Sequence, residues 1–148
     1  MLFRLVYCSE NHLGASDGKM VAGLNDILAA CERNNRRDDI TGALLFDTLW
    51  FIQILEGERQ AVSKTLRRIL ADERHSDLTV MDARPAERRL FANWWMGVAM
   101  LRGGEQDLLS RHGLSRLDPR VMTGDTAIAI AADLAGSGLQ RRLAPAAA

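Results

Sequence analysis

A glutamine stands inside an otherwise apolar stretch, Trp50-Phe-Ile-Gln-Ile-Leu-Glu-Gly57. Buried without a partner, its amide would cost roughly 1 to 3 kcal/mol, so Gln53 requires a hydrogen-bonding group on a neighbouring element or a ligand. Tyr7 lies in a second apolar stretch, Leu5-Val-Tyr-Cys-Ser9, and Asn35 in the polar run Asn34-Asn-Arg-Arg-Asp-Asp-Ile-Thr-Gly42. Other chemistry is thinly provided for. His12, His75 and His112 are scattered, neither Cys8 nor Cys31 belongs to a Cys-x-x-Cys pair, and the chain has no HExxH, Walker-type glycine loop or GxGxxG fingerprint. The sequence therefore predicts neither a metal centre nor a catalytic constellation.

The elements that must position these groups follow from periodicity. Leu2 to Ser9 alternates, with Phe3, Leu5 and Tyr7 on one face and Arg4, Val6 and Cys8 on the other, which predicts a first strand. Ser16 or Asp17 then offers an N-cap, and Met20, Val21, Leu24, Ile27, Leu28 and Cys31 recur at helical spacing up to about Asn34 and Asn35. Ile40 to Phe46 and Trp50 to Leu55 predict a hairpin across Asp47-Thr48-Leu49, and Arg59 to Asp72 an amphipathic second helix. Leu78 to Met81 and Phe91 to Val98 are expected as two further strands. The pattern predicts an α+β, ferredoxin-like mixed five-stranded sheet with two helices on one face and helical crossovers making some strand pairs parallel. Beyond Leu101, short helices over Gln106 to Arg111 and Thr126 to Ala135, the latter capped by Asp125, are expected as appendages, followed by a frayed tail from Gly136 to Ala148. Residues 1–100 are read as one functional domain and 101–148 as a C-terminal helical extension.

Composition narrows the class. The 148 residues carry 19 Lys and Arg against 19 Asp and Glu, leaving no basic excess for a nucleic-acid backbone. No run approaches the roughly 20 apolar residues of a membrane span, and the N-terminus lacks an export pattern. The expected setting is the cytoplasm, with neither nucleic acid nor membrane as partner. Cys8 and Cys31 read as small buried hydrophobes.

Taken together, the separated segments resemble the BLUF family of blue-light sensors using FAD, over about residues 2 to 98. The family's strand-one tyrosine falls on Tyr7, its asparagine on Asn35 and its glutamine on Gln53. Its second-helix flavin contacts fall on Arg68 and Asp72, with His75 close behind, and its fifth-strand tryptophan and methionine on Trp94 and Met96 in Arg89-Leu-Phe-Ala-Asn-Trp-Trp-Met96. The stretch between Tyr7 and Asn35 is longer than the family's usual one, and the hairpin link lacks a glycine. Both departures fall in loops, where insertion is tolerated.

The resemblance implies a noncovalently bound FAD, with FMN or riboflavin able to take its place on recombinant expression. Its ring would lie between the two helices, packed by Ile27 and Ile69 and held by Asn34, Asn35, Arg68 and Asp72, with His75 at the pocket edge. It further implies that light drives electron and proton transfer from Tyr7, that the Gln53 amide rearranges so that a donor meets the flavin carbonyl, and that absorption shifts reversibly to the red. Trp94 or Met96 would relay the change to the C-terminal helices, and so to an effector protein or through a homo-oligomer. Alternation along a fifth strand allows only one tryptophan on the switch side, Trp94 by the motif and Trp95 otherwise.

Each residue also has a plain reading: Tyr7 and Gln53 as satisfied core polar groups, Asn35 as a helix C-terminal residue, Arg68 and Asp72 as a solvated pair, Trp94 and Met96 as core. Two other functions remain open at this point. One is a small acylphosphatase-like hydrolase holding phosphate with Asn and Arg. The other is a regulatory module that has lost its cofactor and acts by oligomerising.

Overall fold

The computed structural model describes residues 1–13, 17–136 and 138–141, without the side chains of 17–19. The chain runs β1 (Leu2–Asn11), α1 (Asp17–Asp38), β2 (Thr41–Phe46), β3 (Trp50–Glu58), α2 (Arg59–Leu70), β4 (His75–Pro85), β5 (Gly97–Met100), α3 (Gln106–Arg111), a 3-10 turn at Pro119–Val121 and α4 (Gly124–Ala135). The five strands lie in the order β4-β1-β3-β2-β5, the expected ferredoxin-like α+β arrangement with a fifth strand added at one edge. The helical crossovers do join parallel strands, but β3 separates β1 from β2 and β1 separates β3 from β4. The parallel neighbours are instead β2 and β5, reached when the chain returns from β4 at the opposite edge.

β2 is buried at all six positions and β3 at nearly all of its nine. Such continuous apolar strands require cover on both faces. Leu5, Tyr7, Leu44, Phe46, Phe51 and Leu55 face α1 and α2 in one core. Val6, Cys8, Ala43, Leu45, Ile52 and Ile54 face the other way, into a core shared with Leu108 and Leu109 of α3 and Ala127, Ile130 and Ala131 of α4. The segment after Leu101, expected as an appendage, is thus a third layer. α4 approaches β4 closely because residue 124 is glycine: a Cβ there would lie 2.5 Å from the Cβ of Asp82. Part of the expected frayed tail is docked. Leu139 is buried, and Gln140 exchanges backbone hydrogen bonds of 2.7 and 2.8 Å with Val98, whereas residues 137 and 142–148 lie outside the described ones.

Several boundaries differ from expectation for identifiable reasons. α1 continues past Asn35 to Asp38 and ends with Asp39 in the left-handed region (φ 54°), where the Ile40 N–H reaches back to the Asn35 carbonyl at 2.8 Å, a helix stop usually made by glycine. α2 ends at Leu70 rather than Asp72. α4 starts earlier and is capped by Thr123, whose hydroxyl accepts from the Thr126 N–H, rather than by Asp125. At the start of α1, Asp17 is the first helical residue and Ser16 lies outside the described residues.

β4 extends well beyond Leu78 to Met81. Polar residues are tolerated there because it is an edge strand, bonded only to β1, with two irregularities in its register. Phe91 to Met96 is not a strand. It is an irregular crossing whose N–H and C=O groups are satisfied outside any ladder, with Leu90 and Phe91 N–H donating to the Glu56 carboxylate (2.8 and 2.9 Å) and the Trp94 carbonyl accepting from Gly42 (3.1 Å). Its aromatic content imitates a strand while its hydrogen bonds belong to a loop.

Gly42 marks the tightest approach in the sheet, since a Cβ there would lie 1.8 Å from the Ile54 carbonyl oxygen. Gly42→Ala should cost about 2 kcal/mol or more by overpacking, read as a lower urea midpoint with an unchanged slope; a midpoint equal to wild type would show that the strand pair accommodates the methyl.

Candidate functional site

In the β1–β3 register Tyr7 lies directly opposite Gln53, and Gln53 lies opposite Leu44 of β2. The Tyr7 hydroxyl donates to Gln53 Oε1, and the Gln53 amide nitrogen donates to the Met96 sulfur at 3.5 Å. Tyrosine and glutamine are both almost completely buried. The amide is therefore satisfied on one side by a strong donor and on the other by a weak sulfur acceptor. Burial raises the Tyr7 phenol well above its usual pKa, reinforced by Cys31 and Asp72, so the hydroxyl keeps its proton throughout the neutral range.

This pair forms the floor of an open pocket whose space, including what is open to solvent, is about 460 Å³. Leu44 and Phe51 complete the floor, Ile27 and Cys31 of α1 form one wall, Ile69 of α2 the other, and Asp72, Arg74 and His75 the end. A contiguous depression continues along the helices past Asn34, Asn35, Thr65 and Arg68. The arrangement follows from helical spacing: Ile27, Cys31 and Asn34 fall at i, i+4 and i+7 on α1, and Thr65, Arg68 and Ile69 at i, i+3 and i+4 on α2. His75 is fixed at both ring nitrogens. Its Nε2 lies 2.6 Å from the Ile69 carbonyl and must donate to it, which leaves Nδ1, 2.8 Å from Ser9 Oγ, to accept in the neutral ring.

Of the residues proposed to hold a ligand, Ile27, Asn34, Asn35, Gln53, Arg68, Ile69, Asp72 and His75 all line this continuous cleft. Asn35 is 1% exposed and donates to the Trp95 carbonyl at 2.8 Å, while its Oδ1 has no partner among the described residues. Arg68 is already paired, to Asp38 at 3.0 Å and Thr65 at 3.3 Å, and Asp72 to Arg74 at 2.6 Å. The Arg37 guanidinium, with Arg68 second, holds the Asp38 carboxyl well below the usual carboxylate range, and Arg74 does the same for Asp72. Arg68 and Arg74, the arginines that line the cleft with Asn35, are thus already paired with anions of the protein, which disfavours a phosphate-gripping site there.

The two proposed relay residues part company. Met96 is buried in the core on the pocket face, whereas Trp94 packs into the opposite core, that of α3 and α4. Neither tryptophan is in a strand, so strand alternation does not choose between them. Trp95 contributes its carbonyl to Asn35, and its ring lies 5.9 Å from the Arg36 guanidinium. Several lining residues escaped the sequence reading. Cys31 was legible, one turn after Ile27; Phe51 and Leu44 were legible from the strand period; Arg74, in an aperiodic turn, left no signal.

The site is a cleft between α1 and α2, largely apolar and floored by a hydrogen-bonded tyrosine and glutamine. Residues 2–97 match the family model described as sensors of blue light using FAD, and the chain belongs to that family. It is 33% identical over 107 residues to the blue light- and temperature-regulated antirepressor BluF of Escherichia coli, and 36% identical over 72 residues to photoactivated adenylate cyclase subunit beta of Euglena gracilis. These alignments span 72% and 49% of this chain but only 26% and 8% of those proteins. The dark-state structure of the BLUF protein BlrB aligns with 92% of this chain and 96% of its own at a TM-score of 0.73 and 30% identity. The photo-activated state of BlsA shares the fold over 95% of this chain and 99% of its own, at a TM-score of 0.82 and 21% identity.

Burial pushes the Cys31 thiol up to about 11, so few molecules carry the reactive thiolate at neutral pH. Alkylation of Cys31 in flavin-free protein should accelerate roughly tenfold per pH unit below that value, and flavin loading should suppress it. Equal rates with and without flavin would place the ligand elsewhere. The lone tyrosine provides a second check. A native pKa raised above 10.0 means its contribution to stability is whole below pH 10 and declines as pH climbs toward the native value, because the unfolded chain loses its proton first. Tyrosinate absorbance of the native protein should therefore appear only above pH 10.

Proposed function

We propose that the chain is a blue-light photoreceptor, with residues 1–100 as the sensing unit and 101–148 as the extension that reports its state. The observation that carries this reading is the buried Tyr7–Gln53 hydrogen bond on the floor of the slot, with the Gln53 amide nitrogen turned to the Met96 sulfur. FAD would be held noncovalently. Ile27 and Ile69 pack its ring, the Asn35 oxygen accepts from its polar edge, Asn34 supplies a further amide, and Arg68, Asp72 and His75 close the cleft.

Bound there, the flavin supplies a blue-absorbing chromophore and, once excited, an oxidant strong enough to draw an electron and a proton from a phenol. The chain's own part is to make that excursion reversible and leave a trace. Tyr7 is the only tyrosine, and among the described residues its hydroxyl is the donor to Gln53 Oε1. While the phenol lacks its proton, that oxygen has no donor and the amide turns. Once the electron and the proton have both returned to Tyr7, Nε2 of the turned amide would donate to its hydroxyl oxygen, which accepts as readily as it donates. The weak bond to Met96 is lost, so Met96 is displaced on the pocket face. Water is kept from the pair by its burial.

No residue is assigned a role in turning over a substrate, and the signal leaves by contact. The names of the relatives associate such a module with an adenylate cyclase in one case and an antirepressor in another, which supports a protein effector as the recipient here, with a homo-oligomer as the second route. A cytoplasmic location fits such a partner. Among the described residues no helix is long and apolar enough to cross a membrane.

Absorption spectra before and after blue illumination test the proposal: a yellow protein should shift modestly to the red and revert in the dark. Tyr7→Phe should retain flavin, lose the shift, and cost about 1 to 3 kcal/mol because Gln53 Oε1 loses its donor. Gln53→Leu should lose the shift likewise, and Asn35→Ala should weaken flavin retention. A normal photocycle in Tyr7→Phe would end the mechanism, and protein that never takes up flavin would end the photoreceptor reading.

A further inference from the structure

Glu56 is a carboxylate with no exposed surface, three residues along β3 from Gln53 and on the other face of the strand. It lies in a row across the sheet between Arg4 of β1 and Thr41 of β2. Arg4 Nε donates to it at 3.0 Å, the Thr41 hydroxyl at 3.4 Å, and the backbone N–H groups of Leu90 and Phe91 at 2.8 and 2.9 Å. Around this centre Arg4 also donates to the Arg88 carbonyl at 2.8 Å. Arg89 donates to Thr41 Oγ1, to the Glu56 carbonyl and to the Asp39 carbonyl at 2.9, 3.2 and 2.8 Å. Residues 88–91 are thereby clamped to three strands at one end of the sheet.

The clamped segment leads straight to Met96. From Phe91 it passes Trp94, whose carbonyl is held by Gly42, and Trp95, whose carbonyl is held by Asn35, before entering β5. β5 then bonds through Val98 to Gln140. We infer that Glu56 is a positioning residue of the light switch, the fixed end of a lever formed by residues 91–96 that converts movement of Met96 on the pocket face into movement of β5 and the Gln140 strap. The inference rests on the photoreceptor reading and adds a residue that touches neither the slot nor the Tyr7–Gln53 pair.

The physical argument concerns where displacement goes. A crossing with both ends loose would absorb a shift of Met96 within its own backbone dihedrals. With Leu90 and Phe91 held by a buried charge, and charge-assisted bonds about twice as strong as neutral ones, the near end does not yield. Displacement must then appear at Gly97 and Val98. Gly97 is tightly packed there, since a Cβ would lie 2.9 Å from Leu139 and 3.2 Å from the Trp94 ring, so movement is passed to both. Packed contacts of this kind change between discrete arrangements rather than stretching.

Glu56→Gln is close to isosteric but turns one acceptor into a donor facing donors. The test compares hydrogen exchange of the Val98 and Gln140 amides, dark and illuminated, alongside the flavin spectrum. In wild type, light should change these exchange rates about fivefold or more. In Glu56→Gln the red shift should persist while the light-to-dark ratio falls to near unity. A merely structural residue would raise exchange equally in both states and leave the ratio intact, and that result would overturn the inference, as would a wild type that shifts colour without changing exchange. Wild type lacking the red shift would instead defeat the photoreceptor reading beneath it. Should Glu56→Gln fail to fold, Arg89→Met, on the rim of the same clamp, should lower the ratio, and an unchanged ratio there would sink the idea.

Discussion

The antiparallel register that sets Tyr7 against Gln53 is the constraint on which the rest of the structure depends. Because side chains alternate, a slip of one residue between β1 and β3 would turn Gln53 toward α3 and α4 and leave Tyr7 bonded to nothing. The register is held by the same alternation on both faces. Leu5, Tyr7 and Leu55 belong to one core, Val6, Ile52 and Ile54 to the other, and shifting β3 would exchange one set for the other. Arg4 opposite Glu56 adds an ionic pin to the same strand pair. A polar pair can be buried here because each member is the other's hydrogen-bond partner, and because the alternatives lie in a fully packed sheet.

The balance of forces around Gln53 would let so buried a group change state, as the proposed switch requires. A primary amide has two orientations of nearly equal shape, distinguished only by which partners meet oxygen and which meet nitrogen. The tyrosine hydroxyl satisfies either end, donating to the oxygen or accepting from the nitrogen. The sulfur of Met96 accepts only weakly, so losing it costs little. Had residue 96 been a strong acceptor, one orientation would be favoured by about one further hydrogen bond, and had residue 7 lacked a hydroxyl, the oxygen would have lost its donor. Tyrosine on one side and methionine on the other would bring the two arrangements closer in free energy than a strong acceptor at residue 96 would, as the proposed reversible switch requires. The ion pairs nearby, Arg68 with Asp38 and Arg74 with Asp72, are saturated within the protein and do not compete for the amide.

How much of this could be read from the chain depended on periodicity. β1, the hairpin and α2 announced themselves through period-two and period-3.6 patterns, and the pocket walls followed, since Ile27 and Ile69 sit on stripes that must face the sheet. The end of α1 was concealed by an Asn-Asn-Arg-Arg run that looks like a loop; it stays helical because Asp39 takes the left-handed stop and Asn35 is bonded by tertiary contact to Trp95. β4 was truncated because an edge strand shows polar residues to water. The crossing from Phe91 to Met96 was mistaken for a strand because its side chains are those of a strand, while the carboxylate that holds it belongs to a residue 35 positions earlier in the chain. Glu56 shares that character, its partners lying 34 and 35 positions later at Leu90 and Phe91. The three-layer build was legible in principle, since β2 from Ala43 to Phe46 and β3 at Phe51, Ile52, Ile54 and Leu55 carry apolar residues on both faces, and strands of that kind do not leave a face to solvent.

That second layer of helices gives the crossing segment its significance. Met96 and Trp94 are two residues apart, yet the methionine faces the slot and the tryptophan the core of α3 and α4. A single stretch of backbone therefore touches both sides of the sheet at the edge where β5 and the Gln140 bridge lie. Directly behind Gln53 the far face of the sheet is apolar, with Ile52 and Ile54 fully buried in a close-packed core. Under the proposed mechanism, direct contact with Gln53 would make Met96 the sensor of the amide's state. Trp94, packed against Gly97 and into the core of α3 and α4, would then carry the result to the helices.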